Sequence, residues 1–204
     1  MWKGKYMNQK TNNRELILDC ALDLFYRKGY EGVGVQEIAT KAGVTKPTLY
    51  YYFKSKYGLL ECLLKEKVDP ILDGLNLAVD IQADFSYKLF KLAEDYFNKI
   101  FTNKEIFFFM LGLQYSSKES DGHKAIKPYA AKMMKLFTDV FDRESSYLGN
   151  MNGRQEQFAI GFMGILNYYL LVYYERNADK DVLPVISQGE ISSLVHQFMH
   201  GIFS

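Results

Sequence analysis

Hydrophobic positions recur along the chain at the three- and four-residue spacing of amphipathic helices, and no stretch alternates with the period of two that marks a hairpin strand. Ile17, Cys20, Ala21, Leu24 and Phe25 form one stripe, which predicts a first helix over about residues 12–28, stopped at Gly29. Val35, Ile38, Ala39 and Ala42 share one face of a short second helix over 35–42. Thr45 is placed to cap a third, with Pro47 in the first turn, where a missing N–H does little harm. Ser55 caps a fourth that Leu59, Leu60, Leu63 and Leu64 carry to about Val68, and Asp69-Pro70 predicts a break there. Further helices are predicted over about 70–81, 84–101, 104–117, 122–144, 153–175 and 187–202, separated by turn-forming residues such as Asn103, Ser116-Ser117 and Asn152-Gly153. The pattern predicts an all-α fold of about nine helices.

Within this frame, Ala39, Gly43 and Leu49 fall at relative positions 0, +4 and +10. A tight helix pair needs a small residue where the helices cross and one tolerant of positive φ where the chain turns. Leu49 then plugs the third helix onto the second, and this helix-turn-helix presents its outer helix to a DNA major groove. From Lys41 to Leu60 there is no acidic residue, which suits a polyanion. Thr45, Lys46, Thr48, Tyr50, Tyr51 and Lys56 can donate hydrogen bonds to phosphate. Pro47 and Thr48 can meet a thymine methyl, and Lys46 can reach guanine. Leu49 and Phe53 read as core.

The flanking residues extend the pattern: the helix Arg14 to Lys28, Gly29-Tyr30, Ile38-Ala39, Gly43-Val44-Thr45-Lys46, and Leu49-Tyr50-Tyr51-Tyr52-Phe53-Lys54-Ser55-Lys56. Over about residues 12–64 this resembles the TetR (tetracycline repressor-like) family. The resemblance implies a DNA-binding head, here residues 1–54, and a ligand-binding and dimerising body, residues 55–204. It implies a homodimer on a palindromic double-stranded DNA operator, commonly as a repressor released by a small molecule, and puts the Lys56 position on the DNA backbone. It also makes the last two helices the dimer interface, for which Ile191, Leu194, Val195, Phe198 and Met199 lie at helical spacing, followed by Ile202. Two positions depart from the family pattern. Gly34 stands where Thr or Ser usually caps the second helix, and Tyr57-Gly58 replaces the acids that follow Ser55.

Charge sharpens the division. Residues 1–67 carry 12 Lys/Arg against 7 Asp/Glu, whereas the chain as a whole has a net charge of +1, so a basic head sits on an acidic body. The 17 residues Phe158 to Tyr174 have only Asn167 as a clearly polar member, too short and too interrupted for a membrane span and better suited to a buried helix. The basic, polar start, Met1 to Thr11, has no apolar core behind it, which predicts a cytoplasmic chain.

Candidate chemistry adds little beyond DNA. Nucleophile elbows, phosphate-cradling glycine loops, HExxH motifs and paired carboxylates are missing from the sequence, so an enzyme is not indicated. Cys20 and Cys62 lack metal-ligand spacing and read as structural thiols; His196 and His200 share a helix face without a third ligand, so no metal or cofactor is expected. His123 reads as solvated. The aromatics and methionines after residue 84 are mostly core, yet such walls also line adaptable apolar pockets. Phe97, Phe108, Tyr115, Phe137 and Phe162 are the candidate walls for a small hydrophobic, aromatic-bearing effector. The alternative is a DNA-binding nucleoid or division factor of the same fold with no small-molecule control.

Overall fold

The computed structural model describes residues 3–79, 82–145, 148, 151–180 and 185–201. Among them the chain forms nine helices and no strand: α1 (Lys3–Lys28), α2 (Val35–Lys41), α3 (Lys46–Phe53), α4 (Lys56–Val79), α5 (Phe85–Thr102), α6 (Lys104–Gln114), α7 (Asp121–Arg143), α8 (Gln155–Arg176) and α9 (Gln188–His200). All five residues of the predicted α1 stripe are buried. The helix itself begins well before residue 12.

The break predicted at Asp69-Pro70 does not form. α4 continues through Pro70, because Leu72 and Leu75 prolong the buried stripe of Leu63, Leu64 and Val68. A proline inside a helix costs roughly 3 kcal/mol. Burying two leucines returns about 1.5–3 kcal/mol each, which is enough to keep the helix going. α7 carries Pro128 in the same way. α6 instead ends early, at Gln114, where the Ser116 hydroxyl donates to the Leu113 carbonyl (2.7 Å) and takes up an acceptor that the helix end leaves open.

The helices assemble into two units. One comprises residues 1–70 and 103–130, the other 71–102 and 131–204. In the first, α1 packs on α2, α3 and α6. Phe25 of α1 stacks on Phe109 of α6 with ring centroids 5.5 Å apart, and Tyr30 meets Phe25 edge-on at 5.2 Å. The head expected at residues 1–54 therefore shares its core with α6, which lies far downstream in sequence. In the second unit α5 packs against α8 and α9 around Leu89, Leu92, Phe97, Phe137, Phe162, Leu166 and Leu170. Asn167, the polar break in α8, accepts a hydrogen bond from the hydroxyl of Tyr96. Burial raises the pKa of that phenol, so it stays a neutral donor.

Candidate nucleic-acid interface

The turn between α2 and α3 forms as its residues require. Gly43 takes φ +64°, and the N–H groups of Ala42 and Val44 close on the carbonyls of Ile38 (2.9 Å) and Ala39 (3.0 Å). Ala39 and Leu49 are both fully buried at the crossing. Thr45 is extended (φ −86°, ψ 156°) and its Oγ1 accepts from the Thr48 N–H at 3.3 Å, with Pro47 in the first turn. Gly34 gives α2 no side-chain cap. The Ser55 hydroxyl accepts from the Gly58 N–H at 2.9 Å and caps α4 without a capping-box partner.

With Leu49 and Phe53 buried, the other side of α3 faces out. Thr45, Lys46, Pro47, Tyr50 and Tyr51 are exposed, Tyr51 at 60%, and Thr48 is half-buried. Five other cations of the first unit are paired with carboxylates. Arg14 pairs with Glu66, Arg27 and Lys41 with Asp23, Lys28 with Glu37, and Lys67 with Asp19. Hydrogen bonds from Lys41 and then Arg27 hold the Asp23 carboxyl below the usual carboxylate range, and Arg14 does the same for Glu66. Lys46 is exposed on α3 and forms no ion pair among the described residues.

At the exit of α3 the two lysines differ in exposure. Lys56 is half-buried, with its Nζ 4.1 Å from the centroid of the Tyr30 ring. Burial pulls its pKa down, while Glu31 and Asp121 nearby oppose the shift. Lys54, which sequence reasoning passed over, is exposed, adopts φ 64°, and places its Nζ 3.4 Å from the Tyr51 carbonyl. Its position just past the buried Phe53, where a helix must stop, is the signal that could have found it. Gln36 and Thr40, on the exposed side of α2 and hydrogen-bonded at 3.2 Å, are further polar groups that sequence reasoning did not single out.

Residues 17–63 match the family of bacterial regulatory proteins named for tetR. Over 188 residues the chain is 28% identical to the HTH-type transcriptional activator FasR of Mycolicibacterium smegmatis, covering 84% of this chain and 78% of that one. Residues 17–63 are a TetR-family segment. The chain is a DNA-binding transcriptional regulator. The fatty acid metabolism regulator protein of Bacillus subtilis is 32% identical over 92 residues, 45% of this chain and 47% of the relative. The crystal structure of the Bacillus subtilis regulator FadR in complex with stearoyl-CoA shares the fold, with a TM-score of 0.71 at 19% identity over 92% of this chain and 98% of that one.

Beyond the TetR head, the expected effector walls divide. Phe97, Phe137 and Phe162 are buried together in the second unit, with Phe137 5.7 Å from Tyr96 and 6.2 Å from Phe162. Phe108 belongs to the first unit, where it lines a cleft of about 240 Å³ with Phe25, Tyr26 and Phe109. Tyr115 is 86% exposed past the end of α6 and walls no interior.

The expected TetR interface divides in the same manner. Ile191 and Val195 are buried within their own chain, on a helix that packs against α5. Phe198 is half-buried, 4.9 Å from the Phe162 ring; Leu194 is half-buried and Met199 exposed. Ile202 lies outside the described residues. What α8 does leave open is a stripe at positions 160, 164, 168 and 171, with Ile160 52% and Tyr168 69% exposed. No helix among the described residues is long and apolar enough to cross a membrane. The His196 and His200 rings lie 4.5 Å apart, and no group of three metal-ligating side chains occurs among the described residues. His123, expected to be solvated, has instead a buried Nδ1 with no hydrogen-bond partner among those residues. Cys20 is buried and Cys62 half-buried, both free thiols.

Proposed function

We propose that this regulator binds a two-fold operator as a homodimer through α3, and leaves it when an amphiphile with a long acyl chain enters the second unit. The observation that carries the DNA reading is the acid-free edge of Thr45, Lys46, Pro47, Tyr50 and Tyr51, held rigid from behind by buried Leu49 and Phe53. Thr45, Tyr50 and Tyr51 donate hydroxyls to phosphate, while Lys46, Pro47 and Thr48 meet base edges. The protein acts by occupancy, without turnover, in the cytoplasm.

Two copies are needed because a single eight-residue helix reads too few base pairs. A two-fold dimer places two recognition helices about 34–36 Å apart, one groove repeat. The exposed stripe Ile160, Tyr168 and Leu171 on α8, with Met199 on α9, is the apolar surface offered to a partner in a four-helix bundle. Gly164 lies on the same stripe and lets the helices come close.

The effector class rests on the relatives: a regulator of fatty acid metabolism and a fold neighbour that holds stearoyl-CoA. The apolar core of α5, α7 and α8 suits an acyl chain better than a charged ligand. Release follows if the effector favours the operator-incompetent state by roughly 1–3 kcal/mol, a typical coupling. Selection of bound duplexes from a random pool tests the operator; enrichment of a palindrome supports it, and indifference to sequence refutes it. Stearoyl-CoA should raise the melting temperature and weaken operator binding in the same concentration range. The second reading, a DNA-binding protein with no effector, is favoured by the direct ring contacts of Phe137, Phe162 and Phe198. It stands if no acyl-CoA shifts the melting temperature.

A further inference from the structure

We infer that the cleft between the end of α8 and the start of α9 holds the phosphorylated nucleoside end of an acyl-CoA. Its base lies on Tyr169 and Tyr173, and its phosphates meet Arg176 and Lys180. The proposal rests on the effector being an acyl-CoA.

The cleft has a volume of about 410 Å³, within the ~300–1,000 Å³ of small-ligand sites. One wall is aromatic. Tyr169 and Tyr173 are half-buried, one turn apart on α8, with ring centroids 6.3 Å apart and planes inclined by 22°. Two rings of α5 back them: Phe97 lies 5.8 Å from Tyr169, and Phe101 meets Tyr173 edge-on at 5.6 Å. A purine laid on this pair extends a stack that the protein has already begun. Phe97 is buried, so Tyr169 joins the cleft to the apolar interior that an acyl chain would enter.

Charge then selects among ring-bearing ligands. Arg176, Lys180 and Glu190 all line the cleft. Glu190 is committed: its carboxylate accepts from the Ser187 N–H (2.9 Å), the Ser187 hydroxyl (2.7 Å) and the Tyr169 hydroxyl (3.2 Å). Arg176 and Lys180 are exposed and form no ion pair among the described residues. The end of a helix repels anions, but the effect fades beyond the last turn, and Lys180 stands past the end of α8. Asn177 also covers a terminal carbonyl, its Nδ2 donating to that of Tyr173 at 2.8 Å. A fatty acid would bring these two cations a single carboxylate and the rings nothing. A nucleotide end brings several phosphate charges and a base together. None of Ile160, Tyr168 and Leu171, the stripe offered to a second copy, lines the cleft.

The test uses the full chain in titration calorimetry, with coenzyme A, dephospho-coenzyme A and stearoyl-CoA below its micelle concentration as probes. Coenzyme A should bind the unmodified protein, and dephospho-coenzyme A, one phosphate poorer, should bind more weakly. Arg176→Gln combined with Lys180→Gln should weaken coenzyme A by at least about tenfold, because charge-assisted contacts are lost. Stearoyl-CoA should lose affinity by the same factor, since its acyl chain touches neither residue. Unchanged affinity of the double variant for either ligand, or no binding of coenzyme A by the unmodified protein at millimolar concentration, overturns the proposal. Should the double variant not fold, the unmodified protein still decides. The ring protons of Tyr169 and Tyr173 should shift on adding coenzyme A, and resonances that stay in place overturn the assignment. Failure of the effector reading looks different. Coenzyme A would then occupy the cleft as described, while stearoyl-CoA would bind no tighter and leave operator binding untouched.

Discussion

Thr45 performs two tasks with one hydroxyl: it caps α3 through the Thr48 N–H, and it stands on the exposed edge. Thr45→Ala should lower the unfolding free energy by about 1 kcal/mol, the usual worth of an N-cap, read as a reduced urea midpoint. Lys46→Ala should change which duplexes are selected more than how tightly an average duplex is held. Asp23 gives a pH signature. Its folded pKa lies below the unfolded value of about 4. Its contribution is therefore complete above that value and is lost as pH falls through the folded pKa. Melting temperatures of the wild type and of Asp23→Asn should differ at neutral pH and converge in strong acid. At this scale the sequence was informative wherever the partner is local, as with Thr45 and Thr48 or Ser55 and Gly58. The Lys56 contact was hidden because Tyr30 reaches it only through the fold of α1 against α4. Nothing in the spacing of Lys54 and Lys56 tells which of the two turns inward.

Helices were legible from their stripes, and their ends were legible where a specific residue imposes them, as Gly29 and Gly43 do with φ of +75° and +64°. Pro70 misled for a physical reason. Its local preference opposes the helix, but Leu72 and Leu75 reward continuation with burial that no local rule counts. Pro70 is exposed, so Pro70→Ala removes no packing and restores a donor for the Glu66 carbonyl. The variant should be more stable by about 1–2 kcal/mol after allowing for the freer unfolded chain, measured as a shift in denaturant midpoint at constant slope. The glycine inside α6 offers a parallel case. A Cβ at Gly112 meets nothing within 4 Å, and Gly112→Ala should gain about 1 kcal/mol from helix propensity alone.

At the level of the whole molecule, α8 shows what periodicity can and cannot supply. Its apolar run predicted a buried helix, and Ala159, Phe162, Leu166 and Leu170 are buried. Which apolar residues stay outside depends on neighbours that sequence spacing does not reveal. That is why Val195 was expected at a surface and lies in the interior, whereas Tyr168 is left out. Tyr168→Glu should yield monomers by light scattering with the helix content intact, while Val195→Glu should lower thermal stability instead.

The shared core of the first unit has a consequence for how the protein is made. A ribosome delivers α1, α2 and α3 long before α6, yet Phe25 needs Phe109 as its stacking partner. Until residues 103–130 emerge, the reader of DNA lacks part of its own interior, and nascent or prematurely terminated chains hold the recognition helix on an unfinished support. The recognition helix gains its full support only once α6 has been synthesised. A chain stopped at residue 102 should display loosely held helices and an exposed Phe25 rather than a small, active repressor fragment.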